Sequence, residues 1–113
     1  MIKDLTKGMK RTIIVNVDEW CIEHGRASSC QNCPVALAIG RHVIPPLFVK
    51  AVHSDWVIRR HINYEEHYAI GVIAFGAMPD NARQFIRKFD DDEKGDPFEF
   101  RVDVEGDWFY DVT

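Results

Sequence analysis

The sequence predicts an α+β fold: an antiparallel sheet of about five to six strands with two helices packed on one face, in the order β-α-β-β-β-α-β-β. Three observations lead to it. Ala82, Phe85, Ile86 and Phe89 recur at i, i+3, i+4 and i+7, with Arg83, Gln84, Arg87, Lys88 and Asp90 on the other faces, which is the pattern of an amphipathic helix lying on a sheet. Residues 98–104 (Phe-Glu-Phe-Arg-Val-Asp-Val) alternate apolar and polar without a break, as a half-buried strand does. Between residues 47 and 75, three apolar, β-branched runs follow one another with short turns, an antiparallel meander.

Taken in order, residues 1–9 are a mixed-charge arm without the apolar core of a signal peptide. Lys10 to Val17 is rich in β-branched residues, and its Ile13-Ile14-Val15 run predicts a strand buried on both faces. Asp18 is a good N-cap for a short helical turn, and Gly25 is placed to end it in the left-handed conformation. Pro34 favours the first position of a helix and keeps Cys33 out of the helical region, so Cys33 caps a helix over residues 34–42. That helix is apolar on nearly every side at its start and requires cover on most of its surface. After Pro45-Pro46, strands are expected over residues 47–53, 55–62 and 67–75, with Gly71 marking a bulge or a close approach. The amphipathic helix opens at Pro79-Asp80-Asn81 and stops at the charged stretch that ends in Gly95-Asp96-Pro97. A final strand over residues 108–110 completes an acidic C-terminal hairpin spanning residues 90–113.

At 113 residues, with 46% hydrophobic residues, the chain is long enough for one domain with one core and too apolar to be disordered. No apolar run approaches the roughly 18–20 residues needed to cross a bilayer. Three cysteines, an odd number, fit reduced thiols better than a secreted disulfide framework. The net charge of −4 is unevenly spread. From Asp90 onward ten acids face Lys94 and Arg101, a net of −8, whereas residues 1–89 carry twelve Lys and Arg against eight acids, a net of +4. Such an acidic end is either a solvated surface or one that docks on a basic partner, with Asp90, Asp91, Asp92, Glu93, Asp96, Glu105 and Asp107 as the contacts.

Two further sites compete with it. Cys21 and His24, then Cys30 and Cys33, make a C-x2-H and a C-x2-C pair, the four ligands of a compact structural zinc site; buried or capping cysteines are the alternative. Trp56, Arg59, Arg60 and His61 outline a basic, aromatic sheet face able to hold single-stranded nucleic acid, but an ordinary wet sheet face is the preferred explanation, because these strands need one wet face and the chain as a whole is acidic. Thioredoxin-like chemistry fits poorly, because Pro34 starts the helix after the second cysteine rather than the first. Four consecutive acids at 90–93 lack the alternate spacing of a calcium loop. The sequence contains no G-x-S-x-G, Walker or dinucleotide-binding motif, so enzymatic activity is not expected.

The segment Cys33-Pro34-Val35-Ala36-Leu37-Ala38-Ile39 after a short His-Gly turn, with Phe85-Ile86-Arg87-Lys88-Phe89-Asp90 and Pro97-Phe98-Glu99-Phe100 much later, resembles a family of small uncharacterised bacteriophage and prophage proteins. The resemblance spans Val15 to Phe100; Cys21 and Cys30 are less characteristic of that group than Cys33. It implies a small phage accessory product in the cytoplasm of a bacterial host that binds and modulates a host macromolecule. Inhibitors of host defence, anti-CRISPR proteins among them, are prominent in that class. The expected partner is a host protein or ribonucleoprotein, with nucleic acid as the alternative, a homodimer open, and no membrane.

Overall fold

The computed structural model describes residues 10–44, 47–59, 72–93 and 95–105. Over these the chain is α+β. The order is β1 (Lys10–Val17), α1 (Glu19–His24), α2 (Pro34–Gly40), β2 (Phe48–Ala51), β3 (Asp55–Arg59), β4 (Val72–Ala77), α3 (Asp80–Asp90) and β5 (Phe98–Glu105). The arm at 1–9, the segment around Gly71 and the expected strand at 108–110 lie outside the described residues.

The described strands form two antiparallel sheets where a single one is expected. β2, β3 and β4 form the meander in that order, and β1 pairs with β5 from Lys10 opposite Glu105 to Val17 opposite Phe98. β5 therefore takes its described partner from the start of the chain. The third helix, α1, is the short turn capped by Asp18, whose carboxylate accepts the Cys21 N–H at 3.0 Å.

β1 is not buried on both faces. Ile13, Val15 and Val17 point inward, while Ile14 is exposed opposite Arg101. Strict alternation puts successive residues on opposite faces, and a ribbon with one wet face leaves Ile14 outside. The inward residues of β1 meet Phe100, Val102 and Val104 of β5 in one cluster with Val49, Ala51, Trp56 and Ile58 of the meander.

α2 sits at the centre of this cluster. Pro34, Val35, Ala36, Ala38 and Ile39 are buried, and the helix packs on β1, β2, α1 and α3. Cover on four sides is what its apolar surface requires. Its entrance follows the expected scheme: the Cys33 thiol accepts the Ala36 N–H at 3.4 Å, and Pro34 takes the first turn. α3 buries Ala82, Phe85 and Ile86, with Phe89 partly covered. Phe85 stacks near Phe89 and Phe98, with ring centroids 5.8 and 4.8 Å away.

Gly25 differs from expectation. It ends α1 in the extended region, at φ −73° and ψ 154°. The need for glycine there is steric, because a Cβ would lie 2.5 Å from the Pro34 ring. A similar close approach is at Gly76, where a Cβ would lie 2.6 Å from the Trp56 indole.

Candidate functional site

The acidic end is built on the C-terminus of α3. Glu93 N–H donates to the Lys88 carbonyl at 2.8 Å and Asp92 N–H to the Phe89 carbonyl at 3.1 Å, with Asp92 at φ 62°. This is a Schellman closure, whose left-handed position usually holds glycine. The loop then folds back over the aromatic cluster, and Gly95 lies so close that a Cβ would meet Phe85 at 2.5 Å. Asp90, Asp91, Asp92, Glu93 and Asp96 are all exposed. Asp92 and Glu93 are held in this turn by their backbone hydrogen bonds.

These acids are not equivalent. Asp90 Oδ1 accepts the Ser28 N–H at 2.8 Å, tying the loop before α2 to the end of α3, so its carboxylate has structural work. Glu105 lies at the far end of β5, about 24 Å along the strand from Phe98, and faces Lys10 across the ribbon. It does not join the cluster at 90–96, and Asp107 is outside the described residues.

The nucleic-acid face requires a correction. Trp56 is 3% exposed and belongs to the core, not to an open stacking surface. The register sets this: Trp56 lies opposite Gly76, the residue that leaves room for an inward indole. Lys50, Val57 and Arg59 therefore take the outer face of the meander, with Phe48 and Phe75. Phe75, 74% exposed, and Phe48, 37% exposed, are residues that the sequence reading passed over as strand material. Their positions on an alternating strand were the available signal. Arg60 and His61 lie outside the described residues.

Nor are the four zinc candidates assembled. Among the described residues no three His, Cys, Asp or Glu side chains are grouped so as to hold a metal ion. Cys21 is buried under α1, and His24 Nδ1 donates to the Trp20 carbonyl at 2.9 Å while its ring stacks on Trp20 at 4.3 Å. Cys33 faces inward: besides capping α2 its thiol approaches the Ala51 carbonyl at 3.9 Å. The Cys30 carbonyl accepts the Ala51 N–H at 2.7 Å. The C-x2-C turn thus closes the outer edge of β2 with its backbone and one thiol. Burial pushes the Cys21 and Cys33 thiols up from their ordinary pKa, which suits a cap and a core residue better than a nucleophile.

Arg41 makes the other polar anchor. Its guanidinium donates to both Asp18 oxygens at 2.8 and 3.0 Å and lies 5.6 Å from the Trp20 ring centre, locking α1 to the end of α2. The hydrogen bonds from Arg41, and then from the Cys21 N–H, hold the Asp18 carboxyl well below the usual carboxylate range. Arg41 is thereby committed to this anchor. Beside it, Leu37, Leu47, Phe48 and Val49 line an open groove of about 340 Å³ rimmed by Gln31 and Asn32. No helix among the described residues is long and apolar enough to cross a membrane.

In comparisons with protein-family models, curated proteins and solved structures, nothing matches this chain.

Proposed function

We propose that this protein is a non-enzymatic bacteriophage accessory protein that works in the cytoplasm of the bacterial host, where it binds and modulates a host protein or ribonucleoprotein. A CRISPR effector or another defence component is the class of target that the phage-like segments suggest. The surface assigned to the partner is the acidic turn formed by Asp91, Asp92, Glu93 and Asp96, with Asp90 anchoring it.

One observation carries this reading: Asp91, Asp92 and Glu93 stand at the C-terminal close of α3, where local rules disfavour acids. A helix C-terminus carries the negative end of the macrodipole, so carboxylates there are unfavourable, and adjacent like charges add repulsion. Asp92 also occupies a left-handed position that glycine would take with less strain. Local rules broken together at one exposed, ordered turn are a mark of a site kept for binding. Such a turn complements a basic surface, including one that otherwise holds nucleic acid, and long-range attraction speeds the encounter.

The test is affinity capture from infected cells with the tagged protein and a variant carrying Asp91→Asn, Asp92→Asn, Glu93→Gln and Asp96→Asn. The expected result is a captured host partner that the variant loses, with weaker phage growth on a defended host. Unchanged capture and unchanged growth would refute the acidic-docking reading.

A further inference from the structure

We propose that Cys30 and Cys33 are a redox switch. A small disulfide such as glutathione disulfide oxidises the pair to an intramolecular bond, and that bond opens the entrance of α2 and the edge of β2. This goes beyond the acidic-turn reading and rests on a different part of the fold. The two residues share one closed turn, in which the Cys33 N–H donates to the Ser29 carbonyl at 3.0 Å and the Asn32 N–H to Ser29 Oγ at 3.2 Å. They differ in access: Cys30 is half-buried, whereas Cys33 is 3% exposed. The reduced Cys33 thiol is also in use, accepting the Ala36 N–H at 3.4 Å and directing its S–H at the Ala51 carbonyl 3.9 Å away.

A turn closed from one residue to the fourth beyond it is one turn of helix, where residues three apart hold their Cβ atoms about 5–6 Å apart. A disulfide needs about 3.5–4.5 Å. The pair is within reach of a bond but short of its geometry by about 1–2 Å. Closing that gap turns Cys33 away from its cap. Its sulfur then has no proton to give the Ala51 carbonyl, and the buried Ala36 N–H loses its acceptor. The Cys30 carbonyl accepts the Ala51 N–H at 2.7 Å, so the same movement pulls on the hydrogen bond that closes β2. A disulfide that forfeits native contacts is easily reduced, which separates a reversible switch from a permanent staple.

Exposure divides the roles. The Cys30 thiolate attacks one sulfur of glutathione disulfide; that S–S bond breaks, and one glutathione leaves as a thiolate that takes up a proton. The Cys33 thiolate then attacks the Cys30 sulfur of the mixed disulfide, and the second glutathione leaves and is protonated in turn. Two protein thiols lose two electrons and two protons, and glutathione disulfide gains them as two thiols. Burial holds the Cys33 thiol above its ordinary pKa, so it becomes a nucleophile only as it turns outward, and the second step is the slow one.

The test equilibrates the full folded chain in glutathione buffers of rising disulfide fraction, quenches with acid, alkylates the remaining thiols in denaturant and locates them by mass spectrometry. The expected product is two hydrogens lighter than the reduced chain, with only Cys21 alkylated. Its Ala36 and Ala51 amides exchange about tenfold faster than in the reduced protein, and dithiothreitol restores both readouts. Cys33→Ser keeps a capping side chain, so it folds, and it stops at a glutathione adduct on Cys30. Cys30→Ser takes up no glutathione while folded. A parent chain that stops at the same adduct overturns the proposal, as does a bond between two chains through Cys30 or a pairing with Cys21. A Cys30–Cys33 bond that leaves both amides exchanging as before is a staple, and it overturns the switch.

Discussion

Replacing Asp92 by glycine should stabilise the protein, an unusual direction for a substitution at an ordered turn. Asp92 sits at φ 62° at the close of α3. Left-handed backbone costs an L-residue about 1–2 kcal/mol, with aspartate at the low end because its short side chain bonds locally. A carboxylate at a helix C-terminus adds about 0.3 kcal/mol at an exposed site. Against these, glycine gains freedom in the unfolded chain worth about 0.5–1 kcal/mol. The net is a gain of about 0.5 kcal/mol, or a rise of about 2 °C in Tm for a domain of this size. Asp92→Asn separates the two causes, since it keeps the left-handed tolerance and removes only the charge. Thermal melts by circular dichroism should rank Asp92→Gly above Asp92→Asn and both above the parent. In about 0.5 M salt the Asn advantage should shrink, because screening removes the electrostatic part and leaves the conformational one. If Asp92→Gly melts at or below the parent, the acid at this position is not a stability cost, and the main support for the acidic surface falls with it.

Three further outcomes follow from the packing and the titrating groups. Gly76→Ala should destabilise by about 1–3 kcal/mol, because its Cβ would lie 2.6 Å from the Trp56 indole, which has nowhere to move in the core; urea titration followed by tryptophan fluorescence reads it, and an unchanged midpoint would remove Trp56 from the interior. The Asp18 carboxyl titrates lower folded than unfolded, so its ion pair with Arg41 stabilises above the ordinary aspartate range and is lost as pH falls through and below it. With Asp18 47% exposed the pair contributes less than about 1 kcal/mol, and Asp18→Asn, which keeps a capping side chain, should lessen the drop in urea midpoint between pH 6 and pH 3. Thiol labelling of the folded protein should modify the half-buried Cys30 first, with Cys21 and Cys33 reacting only as fast as the domain opens; rapid labelling of all three would contradict their burial.

Some of this architecture was legible because it is local. The stripe of α3 and the alternation of β5 depend on spacing alone, and both faces bury the residues they predict, Phe89 and Phe98 only in part. The entrance of α2 depends on Pro34 and its neighbour, and Cys33 caps it. The acidic turn was visible as composition, but not its Schellman geometry, nor the separation of Glu105 from it. The zinc reading failed on the same ground: spacing placed Cys21, His24, Cys30 and Cys33 within reach along the chain, while His24 turns back to the Trp20 carbonyl and Cys33 faces β2.

What the sequence determined by itself is therefore the type and order of the described elements, the capped cysteine turn and the uneven charge, since each follows from residues a few positions apart. The tertiary structure decided the pairing of β1 with β5, the division into two sheets and the face of β3 that looks inward. Trp56-Val57-Ile58-Arg59 reads acceptably with either face buried, so alternation alone leaves the choice open. Gly76, twenty residues on, settles it by leaving a gap that the indole fills, and the same parity puts Phe75 in solvent. A contact between residues so far apart is set by packing, and no local pattern carries it.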